Sequence, residues 1–181
     1  KHCGDDIRRL PDGETGERGN WISFQFIRLA EQDGIDMEWG SLKEATNPTY
    51  HHYPRLTFSK PIGEVVMPDL GYSGPALESY NVFSKLKADG EIPNSIRFML
   101  ALPTPFGFVI AACYPDAQLE FEPIYKSALM AEFDRVCSQV PHEQLAVQWD
   151  IPCEVMAIEG EATTAFPSDD LFDEIISRVV E

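Results

Sequence analysis

An α/β fold with parallel strands is the architecture this sequence predicts, and three observations carry the prediction. Two apolar runs of strand length, SIRFMLAL over 95–102 and QLAVQWDI over 144–151, each end at a proline. Between them lies a long stretch of helical periodicity. Strand, helix, strand in that order is the pattern of a parallel crossover unit, because parallel neighbours need a long connection to bring the chain back to the same edge.

The central helix is predicted over Phe121–Val140, where Phe121, Ile124, Tyr125, Ala128, Leu129, Phe133, Val136, Cys137 and Val140 recur at three- and four-residue spacing. Pro141 stops it, since a proline ring cannot continue the hydrogen-bond ladder. A second helix is predicted over about Pro75–Ala88, started by Ser73-Gly74-Pro75 and stopped by Asp89-Gly90. A third starts near Ser168, whose hydroxyl can cap the first turn while Asp169 and Asp170 favour the positive helix end, and it runs to the last residue. The segment Trp21–Ala30 favours a helix, although SFQFI also fits strand alternation. Between about 33 and 65 the chain is rich in Gly, Pro, His and Tyr without clear period, which predicts a long irregular excursion with one strand near Arg55–Phe58. Loops of that length in a compact domain are usually functional or mobile. The chain contains no internal repeat, so residues 1–181 are read as one domain.

The composition excludes several classes of function. A chain of 181 residues with 44% hydrophobic and 11% aromatic residues can build one substantial core. Its 30 acidic residues against 14 basic ones give a formal charge of -16, which repels phosphate backbones and anionic lipid, so neither nucleic acid nor a membrane surface is expected as a partner. No apolar run approaches the roughly 20 residues of a spanning helix, and the start Lys1-His2-Cys3-Gly4 has no secretory h-region, so a cytoplasmic protein is expected. Cys3, Cys113, Cys137 and Cys153 form no pair at metal-ligand spacing and are read as reduced thiols, with Cys137 on an apolar helical stripe.

Chemistry is expected where polar clusters follow apolar runs, because parallel α/β folds build their sites at the carboxyl ends of strands. The first cluster is LPDGETGERGNW over 10–21, whose glycines allow close backbone approach and whose Glu14 and Arg18 offer opposite charges to an amino acid-like ligand; an ordinary polar turn also fits it. The second is ALPTPFGF over 101–108, a Pro-Thr-Pro turn that would aim the Thr104 hydroxyl and one ring, and turn chemistry alone also explains it. The third is VQWDIPCE over 147–154. Asp150 at the end of a buried strand needs a cation, a donor network or protonation, and capping the next helix is the alternative role for it.

Taken together and in this order, PDGETGERGNWI, LPTPFGF and AVQWD resemble the catalytic barrel of cobalamin-independent methionine synthase and its shorter relatives, in the superfamily shared with uroporphyrinogen decarboxylase. The resemblance spans roughly Leu10 to Glu161. It implies a partial (β/α)8 TIM barrel, with parallel strands alternating with helices, of which this chain supplies about half. It also implies a methyltransferase-type activity on a small thiol or amino acid-like substrate. Glu14 and Asp150 take the candidate catalytic role of holding the substrate amino group, and Arg18, Asn20, Trp21, Thr104, Gln148 and Trp149 line the same pocket. Two carboxylates converging on one ammonium suit this assignment, since each keeps its charge by doing so.

Zinc is the cofactor the resemblance implies, where it would hold the substrate sulfur as a thiolate. Its family ligands, an H-x-C strand, a glutamate and a further cysteine, are not recognisable in this chain, so no residue is assigned to metal. The adjacent His51 and His52 do not point at one metal from a helix or a strand. An open half barrel would expose strand edges and one apolar face, which predicts a homodimer or a partner chain that completes it. The alternative expectations are a catalytically inactive half barrel that serves binding or assembly, and a metal-free lyase or decarboxylase.

Overall fold

The computed structural model describes residues 7–13, 16–20, 22–39, 54–162, 164–166 and 171–180. Among the described residues there are five strands, β1 (Arg9–Pro11), β2 (Ile35–Glu38), β3 (Arg55–Phe58), β4 (Arg97–Pro103) and β5 (Leu145–Asp150). The α-helices are α1 (Ser23–Ala30), α2 (Ser73–Ala88), α3 (Pro105–Ala112), α4 (Pro115–Cys137), α5 (Pro152–Ile158) and α6 (Leu171–Val180). β1, β4 and β5 make a parallel sheet in the order β1-β4-β5, while β2 and β3 pair antiparallel in a separate ribbon.

Alternation along the parallel strands sorts their residues onto two faces. Phe98, Leu100 and Leu102 of β4 stand beside Leu145, Val147 and Trp149 of β5, and all six join the main core. That core takes Phe24, Phe26 and Leu29 from α1, Ala76, Tyr80 and Phe83 from α2, and Phe121, Tyr125, Leu129 and Val136 from α4. These three helices therefore cover the same face of the sheet. The register places Met99, Ala101 and Pro103 beside Ala146, Gln148 and Asp150 on the other face. A smaller cluster of Phe106, Ile110, Cys153, Ala157, Phe166 and Ile175 joins α3, α5 and α6 near the strand exits.

The predicted parallel crossover is present, and α4 is its main helix. It starts at Pro115, six residues earlier than the periodicity indicates, and ends at Cys137 rather than running to Val140. The early start places Pro123 inside the helix, where the missing N–H leaves the Leu119 carbonyl without its usual donor. Leu119 is exposed, so water can serve that carbonyl. α2 occupies the predicted segment, buries Ala76, Tyr80 and Phe83 at helical spacing, and stops at Asp89-Gly90, where Gly90 takes φ +76°. Trp21–Ala30 resolves in favour of a helix, with α1 over Ser23–Ala30. The predicted C-terminal helix is α6, and its expected cap at Ser168, with Asp169 and Asp170, lies outside the described residues.

Three expectations need correction. The 33–65 excursion holds the expected strand Arg55–Phe58 and also one that was not expected, Ile35–Glu38, which pairs with it over four residues; residues 40–53 lie outside the described residues. Arg55 pins that ribbon to α3 by donating from Nη1 to the carbonyls of Ile110 (2.9 Å) and Ala111 (2.7 Å) at the end of that helix. The turn at Pro103-Thr104-Pro105 does not stay a turn but opens α3, with proline in its first turn and Thr104 as N-cap. Asp150 does not cap the following helix: Ile151 occupies that position, without a side-chain hydrogen bond.

Candidate functional site

The three polar clusters converge because the strands that precede them are neighbours. β1 leads into Asp12-Gly13, β4 into Thr104 and β5 ends on Asp150, all at the carboxyl end of one parallel sheet. The Asp12 amide donates to the Met99 carbonyl at 3.1 Å, and the Thr104 amide reaches the Asp150 carbonyl at 3.4 Å, so each exit turn is tied to its neighbour.

At the β1 exit, Asp12 and Arg18 form a buried ion pair with Nη1 2.6 Å from Oδ2. Both side chains are removed from water, so Arg18 relies on Asp12 for counter-charge, and Arg18 Nε has no hydrogen-bond partner among the described residues. At the β5 exit, Gln148 and Asp150 project on the same side of the strand, and Gln148 Nε2 donates to Asp150 Oδ1 at 2.8 Å. Gln148 is exposed and Asp150 half-buried, so this carboxylate keeps access to solvent and to a ligand. Trp149, one residue between them, takes the opposite face and packs its ring against Phe133 of α4 at 5.8 Å. The structure therefore brings Gln148 and Asp150 together and sets Trp149 apart from them.

Thr104 is buried at the β4 exit. Its Oγ1 accepts from the Gly107 amide at 2.9 Å, capping α3, and its hydroxyl donates to Glu154 Oε1. Gly107 is required there by close approach, since a Cβ would come within 2.9 Å of both Thr104 Oγ1 and Glu154 Oε2. Burial pushes the Glu154 carboxyl above the ordinary glutamate value, against the opposing hydrogen bond from Thr104. Glu14 and Trp21 lie outside the described residues, as does the side chain of Asn20, whose backbone closes the 3-10 turn Gly16–Asn20.

Asp12 and Glu154 are the two site-flanking carboxylates that sequence reasoning passed over. Asp12 stands at the strand exit in the PDGETG segment, and Glu154 follows Asp150 by one helical turn; those placements were the available signals. Among the described residues no group of three His, Cys, Asp or Glu side chains could hold a metal ion. Cys113 and Cys153 are buried, and burial pushes their thiols up to about 12, so both are protonated near neutral pH. These residues do not fit a zinc centre, and His51 and His52 lie outside the described residues. No helix among the described residues is long and apolar enough to cross a membrane. No protein-family model, curated protein or solved structure matches the chain.

Proposed function

We propose that this chain is a methionine synthase-like barrel enzyme, or a piece of one, that binds a small amino acid-like or thiol substrate at its strand exits. One observation carries the reading: the three motifs that resemble this superfamily follow three adjacent parallel strands and gather at one end of the sheet. Covering one face with α1, α2 and α4 is also what a singly wound barrel wall requires, because right-handed crossovers repeated in one direction place every helix outside. In this reading Asp150 and Glu14 hold the substrate ammonium, and Gln148 orients Asp150. The cytoplasm is the proposed location.

Calorimetric titration with homocysteine and related amino acid thiols tests the site. Binding that weakens at least tenfold in both Asp150→Asn and Glu14→Gln supports it, and binding unchanged in the two variants rejects it. A second reading, an assembly module, is favoured by a different feature: the outer edges of β1 and β5 have no strand partner among the described residues. A homodimer or a partner chain would complete the wall in either case. A monodisperse monomer by size-exclusion chromatography with light scattering would remove the assembly reading.

A further inference from the structure

Glu154 is 1% exposed, yet the proposed binding chemistry makes no use of it. Its Oε1 receives the Thr104 hydroxyl, and its Oε2 has no hydrogen-bond partner among the described residues. The surroundings supply little counter-charge. Facing α5, the N-terminal turn of α3 contributes Pro105, Phe106, Gly107 and Phe108, none of them charged. α6 contributes Asp173 and Glu174, β5 contributes Asp150, and the adjacent Cys153 keeps its proton. Arg55 is spent on carbonyls at the opposite end of α3.

We propose that Glu154 is the positioning residue of the strand-exit site, gripping the Thr104 hydroxyl so that the β4 and β5 exits form one unit that fixes Asp150. The proposal rests on reading Asp150 as a ligand-binding carboxylate. Thr104 links the two exits twice, through its amide to the Asp150 carbonyl and through its hydroxyl to Glu154, one helical turn after Asp150. Its oxygen also holds the Gly107 amide, so the hydroxyl is fully oriented and serves as a support beneath the site.

The same geometry gives the grip a pH dependence. Burial disfavours the ionised Glu154, whereas the Thr104 hydroxyl that donates to it is held more tightly by the carboxylate, so the packing of the two exits senses the protonation state of this side chain. Because the folded-state pKa is raised, the stabilisation is present at low pH and is lost as pH rises through the folded value.

Nuclear magnetic resonance on the ligand-free protein tests this without any assumption about the substrate. The Glu154 carboxyl carbon and the amides of Thr104, Gly107 and Ile151 should titrate with one shared midpoint above the ordinary glutamate value, and Glu154→Gln should remove that step from the amides. With homocysteine as probe, Glu154→Gln should bind within about twofold of the parent, and Glu154→Leu, which cannot grip, roughly tenfold more weakly. A Glu154 carboxyl that titrates in the ordinary range while the three amides stay still overturns the proposal, whether or not the leucine variant folds. If the amides follow Glu154 but homocysteine binds no variant, the grip stands and the substrate reading alone fails.

Discussion

Removing Glu132 should cost substantial stability, because two buried backbone amides depend on its carboxylate. This side chain lies on α4 but serves α2: Oε1 accepts the Leu70 amide at 2.9 Å and Oε2 the Ser73 amide at 2.7 Å. The Ser73 amide opens α2 and the Leu70 amide lies in the chain just before it; the helix has no side-chain cap of its own, so Glu132 supplies that acceptor from a different element. It is 2% exposed, and Arg135 approaches it at 3.6 Å while also holding Asp69 at 2.8 Å. Glu132→Ala leaves two buried amides unsatisfied, at about 1–3 kcal/mol each, so a loss of roughly 3–5 kcal/mol is expected. Glu132→Gln keeps one acceptor but turns an NH2 toward a backbone donor, and should fall about midway. Against a total of about 5–15 kcal/mol for a domain, the alanine variant should unfold at a clearly lower urea midpoint with an unchanged slope. A loss below about 1 kcal/mol would refute the role of Glu132 as the cap of α2.

Other consequences follow from the same buried polar groups. Asp12→Asn strips the counter-charge from Arg18 in a site closed to water and should destabilise the fold by about 3 kcal/mol or more, read from urea unfolding. Cys113 and Cys153 should resist alkylation at pH 8 until the protein unfolds, which peptide mapping by mass spectrometry would check. Stability should decline as pH rises from the ordinary glutamate range through the raised Glu154 value, and Glu154→Gln should flatten that decline; parallel curves for the two proteins would contradict it.

The parts of the fold that were legible in the sequence are those governed by periodicity. β4, β5 and the helix between them follow from apolar spacing, and α2 from its proline start and Asp89-Gly90 stop. β1 was not legible, because a strand of only three residues, Arg9–Pro11, is too short to show alternation and is defined by its pairing with Arg97–Met99. β2 escaped for a similar reason: IDME buries only Ile35, and its pairing partners, Arg55–Phe58, are distant in sequence. α3 was hidden by composition. PFGFVIAA is apolar all round because its residues enter two different clusters, and such a run between two prolines reads as a turn.

For the candidate site, spacing located the strand exits but not the geometry at them. The i, i+2 spacing of Gln148 and Asp150 follows from strand alternation, and the same rule sends Trp149 to the opposite face. The Asp12–Arg18 pair and the Thr104–Glu154 contact join residues 6 and 50 positions apart, and only the packed exits reveal them.

The central claim is that the exits of β1, β4 and β5 form one ligand site with Asp150 at its contact surface. Chemical-shift mapping of homocysteine binding on the isotopically labelled chain addresses it most directly. The account predicts saturable shifts concentrated at Gly13, Gln148, Asp150 and Ile151, abolished in Asp150→Asn. Shifts confined to the β2–β3 ribbon or to α6, or an Asp150→Asn variant that binds as the parent does, would contradict it.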